Sequence, residues 1–178
     1  MPLLLTKFEL DEAVARLCRE IAAVAPTDIP IAIVGIRRRG EILAKRMLPL
    51  LRERRIAPLH YGALDITLYR DDLTTIGPAA VHKGTEIDFD VAGAWIVLVD
   101  DVLYTGRSVR AAMDALIDRG RPAAIRLAVV VDRGWREFPI QADFAGLRTV
   151  TQAYHIVKVK LAEIDGADEV ELYDNRGG

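Results

Sequence analysis

Two adjacent carboxylates, Asp100 and Asp101, are followed closely by Thr105, Gly106, Arg107 and Ser108. Carboxylates accept hydrogen bonds from hydroxyl groups. Small hydroxyl and glycine residues that open a helix offer Oγ atoms and backbone N–H groups to an anion at the positive end of the helix dipole. Together they suit a ligand with a phosphate beside a polyhydroxy ring, the layout of a ribose 5-phosphate. The plainer alternative, aspartates capping a turn at a strand end, explains the acids alone. It does not explain the phosphate-sized nest next to them.

Three further clusters could serve such a ligand. Gly35 and Gly40 bracket Ile36, Arg37, Arg38 and Arg39. Glu41 and Ile42 stand where a Walker A loop has Lys and Ser or Thr, so a nucleotide-triphosphate loop is excluded chemically. The arginines are either a solvated patch or the counter-charge for a departing anion. Tyr69, Arg70, Asp71 and Asp72 open a polar stretch reaching Asp90, which reads as a two-stranded arm or a lid, against the alternative of ordinary surface charge. Asp132, Arg133 and Gly134 end an apolar run, as a plain strand end or as a ligand contact.

These clusters need elements to hold them. The unbroken apolar run Ile96, Val97, Leu98 and Val99 predicts a strand buried on both faces that stops at Asp100, so the acids lie beyond a carboxyl end, where α/β sheets bind ligands. A helix carrying Val109, Met113, Leu116 and Ile117 follows, stopped at Gly120. Val14, Leu17, Cys18, Ile21 and Val24 predict an amphipathic helix starting near Asp11 and ending at Pro26. Residues 31–36 read as a buried strand and 40–55 as a helix whose second half Pro49 should disturb. Alternation at Leu64, Ile66 and Leu68 predicts another strand, residues 125–131 a further one, and residues 157–172 a hairpin turning at Asp165 and Gly166. Strands alternating with helices imply a mainly parallel sheet.

At 178 residues, 51% hydrophobic and 28% charged, the chain suits one domain with a sizeable core. A net charge of -2 argues against a general nucleic-acid coat but permits a local basic face. Cys18 stands alone, which excludes an internal disulfide and fits a reducing compartment; burial in the core is its plain reading. His60, His82 and His155 lack ligand spacing, and no Ser-His-Asp or Cys-His set is apparent. No apolar run approaches the ~20 residues of a membrane span, so the chain reads as soluble and intracellular.

The segment Val97, Leu98, Val99, Asp100, Asp101, Val102, Leu103, Tyr104, Thr105, Gly106, Arg107 and Ser108 resembles the phosphoribosyl pyrophosphate motif of type I phosphoribosyltransferases. With residues 64–73 and 131–137 it resembles the pyrimidine operon regulator and uracil phosphoribosyltransferase family, PyrR. The resemblance implies an α/β type I phosphoribosyltransferase fold in one domain, residues 1–178. It has a central, mainly parallel sheet flanked by helices, a long β-arm or lid at about 69–90 and a small hood at about 132–175.

It also implies transfer of the phosphoribosyl group from phosphoribosyl pyrophosphate to uracil, giving UMP and pyrophosphate, with Mg2+ arriving on the substrate. Asp100 and Asp101 would take the ribose hydroxyls directly or through that ion, residues 103–108 the 5-phosphate, and Arg37, Arg38, Arg39 and Arg70 the pyrophosphate. Arg133 and Val157 match uracil-contacting positions. The family's second activity is binding of pyrimidine-operon mRNA by a basic face of a dimer. Arg16 and Arg136 match that pattern, Lys158 and Lys160 add charge, and Arg19 stands where a histidine is expected. Ala15, Trp135, Gln141 and residues 151–155 depart from it. A cytoplasmic homodimer or homotetramer follows from the resemblance. The alternatives are a regulator with vestigial catalysis and a phosphoribosyltransferase for another base.

Overall fold

The computed structural model describes residues 2–54, 56, 58–71 and 84–177. Two sheets organise them. The larger has five strands in the order β3-β2-β4-β5-β6, all parallel: β2 (Ile31–Ile36), β3 (Leu59–Leu64), β4 (Trp95–Leu103), β5 (Ala124–Asp132) and β6 (Phe144–Arg148). The smaller is antiparallel, in the order β1-β8-β7, from β1 (Leu3–Leu5), β7 (His155–Lys160) and β8 (Glu169–Asp174). Helices α1 (Lys7–Val24), α2 (Arg39–Glu53), α3 (Arg107–Ile117) and the single turn α4 (Ala162–Asp165) complete the fold.

Strand alternation sorts the core into two layers. Ile31, Ile33, Trp95, Val97 and Val99 pack with α1 and α2, while Ala32, Val34, Ile96 and Leu98 pack with α3. Both faces are covered, which is why these strands read as continuous apolar runs. Val157, Val159, Leu161 and Val170 of the small sheet join the α1–α2 layer, so the hood shares a core with the main sheet. Cys18 is fully buried in that layer, where burial pushes its thiol up to about 11, as an inert core residue should behave.

Several elements differ from the sequence expectation. α1 begins at Lys7 rather than near Asp11, because Thr6 and Glu9 form a reciprocal capping box. α2 runs to Glu53 straight through Pro49, whose ring lies on the exposed side. The strand expected at residues 64–68 is displaced: β3 ends at Leu64, and Thr67–Tyr69 form a 3-10 turn that still buries Ile66. β6 and β1 are additional strands, and β1 makes the hood more than the expected 132–175 segment. The hairpin turn at Asp165 and Gly166 holds α4, closed by Gly166 in the left-handed region. Of the arm expected at 69–90, residues 72–83, Asp72 included, lie outside the described residues. Its returning stem is anchored by the isolated antiparallel bridge of Glu86 with Ala63.

Candidate active site

The strand order places a topological switch between β2 and β4: from β2 the chain moves outward to β3, then returns to β4 on the other side. Ligands of open α/β sheets bind at such a point, outside the carboxyl ends. Here β4 does not stop at the acids. It continues to Leu103, but its pairing with β2 ends at Val99, so among the described residues Asp100 and Asp101 lie where β4 keeps only β5 as a strand neighbour. The expected break after Val99 is thus a break in one neighbour, and the opened edge forms the crevice.

A cleft of about 390 Å3 lies beside that edge, lined by Arg70, Asp100, residues 102–109 and Glu137. Asp100 is only 8% exposed. Its carboxyl is held well above the ordinary value, first by burial and then by the neighbouring Asp101 charge; the Asp101 N–H, donating to Asp100 Oδ1 at 2.9 Å, and the Arg70 charge oppose this. The site therefore stores a destabilised carboxylate facing an arginine. Asp101 is half-buried and does not itself line the cleft.

The loop from Thr105 to Ser108 is shaped by Gly106, whose φ of 92° makes it the left-handed N-cap of α3. The Arg107 N–H donates to Thr105 Oγ1 at 3.3 Å, and Thr105 O accepts from the N–H groups of Glu137 and Phe138 at 2.9 and 3.2 Å. The first turn of α3 thus faces the cleft with N–H groups that lack intrahelical partners. Arg107 pairs with Asp71 at 2.6 Å and Glu137 at 2.7 Å, carboxylates that occupy the place an anionic ligand would compete for.

The arginine loop lies against the same strand. A Cβ on Gly40 would come within 2.3 Å of Val99 O, so only glycine lets the start of α2 approach the acids this closely. The Arg37–Arg38 peptide is cis. The three arginines do different things. Arg37 pairs with Glu41 at 3.4 Å and Glu86 at 3.0 Å, and Arg38 is exposed. Arg39, expected with them on pyrophosphate, turns away: its Nε donates to Val159 O at 2.9 Å and its Nη2 meets Asp165 at 2.8 Å, tying α2 to the hood.

The positions expected to meet a base also divide. Val157 is a buried core residue of β7, so its side chain is not offered to a ligand. Arg133 is 4% exposed, with Nε donating to Thr151 Oγ1 at 3.2 Å, Nη2 to Gln152 O at 3.0 Å, and its guanidinium 4.0 Å over the Tyr104 ring. Burial lowers its pKa. Among the candidates for RNA, Arg16 is bonded to the Ala145 and Gly146 carbonyls and to Glu20, and Arg136 to Asp132, Ile140 O and Tyr104 O, as structural clamps. Arg19 and Lys158 are exposed. Glu137 lines the cleft, the Tyr104 ring stacks under Arg133 and Thr151 bonds it; Glu137 and Tyr104 fall within the 131–137 and 97–108 segments and Thr151 within the departing 151–155 stretch, but these particular contacts depend on partners far along the chain.

Among the described residues no group of three or more His, Cys, Asp or Glu gathers as a metal cage. Asp100 and Asp101 supply two adjacent carboxylates. That donor set fits a magnesium ion that keeps waters and takes most of its oxygens from a substrate phosphate.

The class these features define is met by comparison: the phosphoribosyl transferase domain family matches residues 8–164. The bifunctional protein PyrR of Thermus aquaticus is 51% identical over 169 residues, covering 95% of this chain and 93% of the relative. That of Deinococcus radiodurans is 48% identical over 171 residues, covering 96% and 93%. Among solved structures, hypoxanthine phosphoribosyltransferase of Trypanosoma cruzi superposes with a TM-score of 0.69 at 13% identity, over 99% of this chain and 98% of that one. A Staphylococcus aureus hypoxanthine phosphoribosyltransferase gives 0.64 at 16%, over 88% and 80%. These two share the fold. The chain belongs to the PyrR family of phosphoribosyltransferases.

Proposed function

We propose that the chain transfers the phosphoribosyl group of phosphoribosyl pyrophosphate to uracil, yielding UMP and pyrophosphate. The observation that carries this reading is the cleft that gathers Asp100, Arg70 and the first turn of α3 at the open edge of β4. The N–H groups and hydroxyls of residues 105–108 take the 5-phosphate, displacing the Asp71 and Glu137 carboxylates from Arg107. Asp100 accepts hydrogen bonds from the ribose hydroxyls, with Asp101 beside it. Arg70 and the 37–38 loop stabilise pyrophosphate as it departs with the electron pair of the C1–O bond, while the ring nitrogen of uracil forms the new bond to C1 from the opposite face and loses its proton. Asp100 and Asp101 would be the residues nearest a magnesium ion carried in by the substrate, which would supply charge neutralisation to the pyrophosphate. No covalent nucleophile is needed; positioning and charge carry the rate.

The base is recognised by backbone groups of the hood rather than by a signature side chain. Purified protein with Mg2+ and phosphoribosyl pyrophosphate should convert labelled uracil to UMP. Absence of UMP together with turnover of hypoxanthine or guanine would remove uracil as the acceptor. The relatives' printed name, bifunctional, supports a second role, for which we infer pyrimidine-operon mRNA as partner, with exposed Arg19 and Lys158 among the contacts. The working form is a cytoplasmic homodimer or homotetramer; among the described residues no helix is long and apolar enough to cross a membrane.

A further inference from the structure

Arg133 is a buried cation with no carboxylate partner among the described residues. Such a group is costly unless its donors and charge are used. Its uses point in two directions. The Tyr104 ring, 4.0 Å beneath the guanidinium, belongs to the loop that lines the phosphate cleft. Thr151 Oγ1 and Gln152 O, at 3.2 and 3.0 Å, belong to the strand connection entering the hood. The backbone repeats the link: the Arg133 N–H donates to Leu103 O at 3.1 Å, and Arg133 O accepts from Thr151 Oγ1 at 3.2 Å. Trp135 adds a third tie, its Nε1 donating to Thr151 O at 2.8 Å.

Two of the five Arg133 N–H donors are committed to the hood, and the stack on Tyr104 fixes the plane of the guanidinium, so the side chain ties both loops whatever its remaining donors meet. We propose that Arg133 is a positioning residue that couples the donor and acceptor halves of the site, holding Tyr104 of the phosphate loop and residues 151–152 of the hood in one register. The inference rests on the phosphoribosyl-transfer reading, but its central test needs no turnover. The planar fork is what permits simultaneous stacking and two hydrogen bonds, so lysine at this position keeps the charge and loses the coupling. A direct base contact would act otherwise: its loss would raise the KM for the acceptor and leave the donor alone.

The test is a double-mutant cycle on donor affinity, read by calorimetry with phosphoribosyl pyrophosphate and Mg2+ and no base present. Arg133→Lys and Tyr104→Leu should each raise the donor Kd roughly tenfold, as loss of a desolvated cation–π contact of about 1.4 kcal/mol would. The double variant should lie within about threefold of either single one, because each change breaks the same contact. Thr151→Val should raise the KM for uracil several-fold while kcat stays within about twofold. Trp135 emission should shift on donor binding in the wild type and lose that shift in Arg133→Lys.

Donor Kd values within twofold of wild type in both single variants, or a strictly multiplicative double variant, would overturn the coupling and return Arg133 to a base contact or a plain packing role. Should Arg133→Lys fail to fold, Thr151→Val together with the donor Kd of Tyr104→Leu carries the decision. A wild type that binds donor but makes no UMP would count against uracil as acceptor and leave the donor-side cycle decisive for Arg133.

Discussion

Asp100 illustrates how a single side chain sets function against stability. An aspartate in the unfolded chain ionises near 3.8, whereas in the fold burial and Asp101 hold its proton to higher pH. Folding therefore favours the protonated form, so the contribution of Asp100 to stability is complete below about pH 3.8 and is lost as pH rises toward the folded value. Asp100→Asn should melt higher than wild type at pH 7, the gain shrinking to nothing near pH 3.5–4, while phosphoribosyl transfer falls by on the order of 100-fold. A lower melting temperature at pH 7 would contradict the stored cost. Gly40 shows the same economy in backbone form. Gly40→Ala sets a methyl group 2.3 Å from Val99 O, so the start of α2 must retreat from the acids. Activity should drop at least tenfold, with a stability loss of about 1–3 kcal/mol by urea titration.

At the scale of elements, the hood is fastened to α2 by charge. Arg46 binds Glu163 and Asp168, the latter at 2.6 Å, and Asp168 also accepts the Ala162 N–H at 2.9 Å. Partial burial disfavours ionisation of Asp168, but Arg46 and that N–H outweigh it and hold its pKa below the ordinary value. This stability is present above the unfolded pKa and is lost as pH falls through the folded one. Asp168→Ala leaves Arg46 half-buried with Glu163 alone. It should cost about 1–3 kcal/mol in urea unfolding and raise the KM for the acceptor more than the donor Kd.

The elements that bracket the crevice were legible in the sequence because each is self-contained. Continuous burial marked β2, β4 and β5, and helical periodicity marked α1, α2 and α3. What escaped depends on partners far along the chain or on short signals. β1 is three residues that become a strand only against β8. β6 is a short edge strand with Gly146 in its middle. The true start of α1 was written as Thr6-Lys7-Phe8-Glu9, a capping-box pattern that the acidic pair Asp11 and Glu12 obscured. At the site, the neighbourhood of Asp100 and residues 105–108 was legible from type and spacing, while Arg70, which lines the same cleft, was singled out through the family resemblance. The diversion of Arg39 to the hood was not legible, since it depends on where Val159 and Asp165 arrive.

For the molecule as a whole, the shared core of hood and main sheet supports one cooperative unit, so tryptophan emission and far-ultraviolet dichroism should trace coincident unfolding curves. Separate transitions would divide it into two domains. The clamps on Arg16 and Arg136 separate shape from recognition. Arg16→Ala should lower the melting temperature, because it releases the Ala145 and Gly146 carbonyls. Arg19→Ala and Lys158→Ala, at exposed positions, should leave melting unchanged and weaken binding of a pyrimidine-operon leader RNA, each reducing the salt slope by about one counterion in gel-shift titrations. Unaltered shifts would place the RNA elsewhere. Light scattering should give at least twice the 19.7 kDa of the chain.

The pairing of Leu3 with Glu171 closes the hood across nearly the full length of the chain. Loop-closure entropy makes contacts of such separation late to form. Because the hood also packs into the α1–α2 layer, the complete fold waits until residues 169–174 have been made and have left the ribosome. The order of manufacture thus keeps an unfinished molecule from transferring anything.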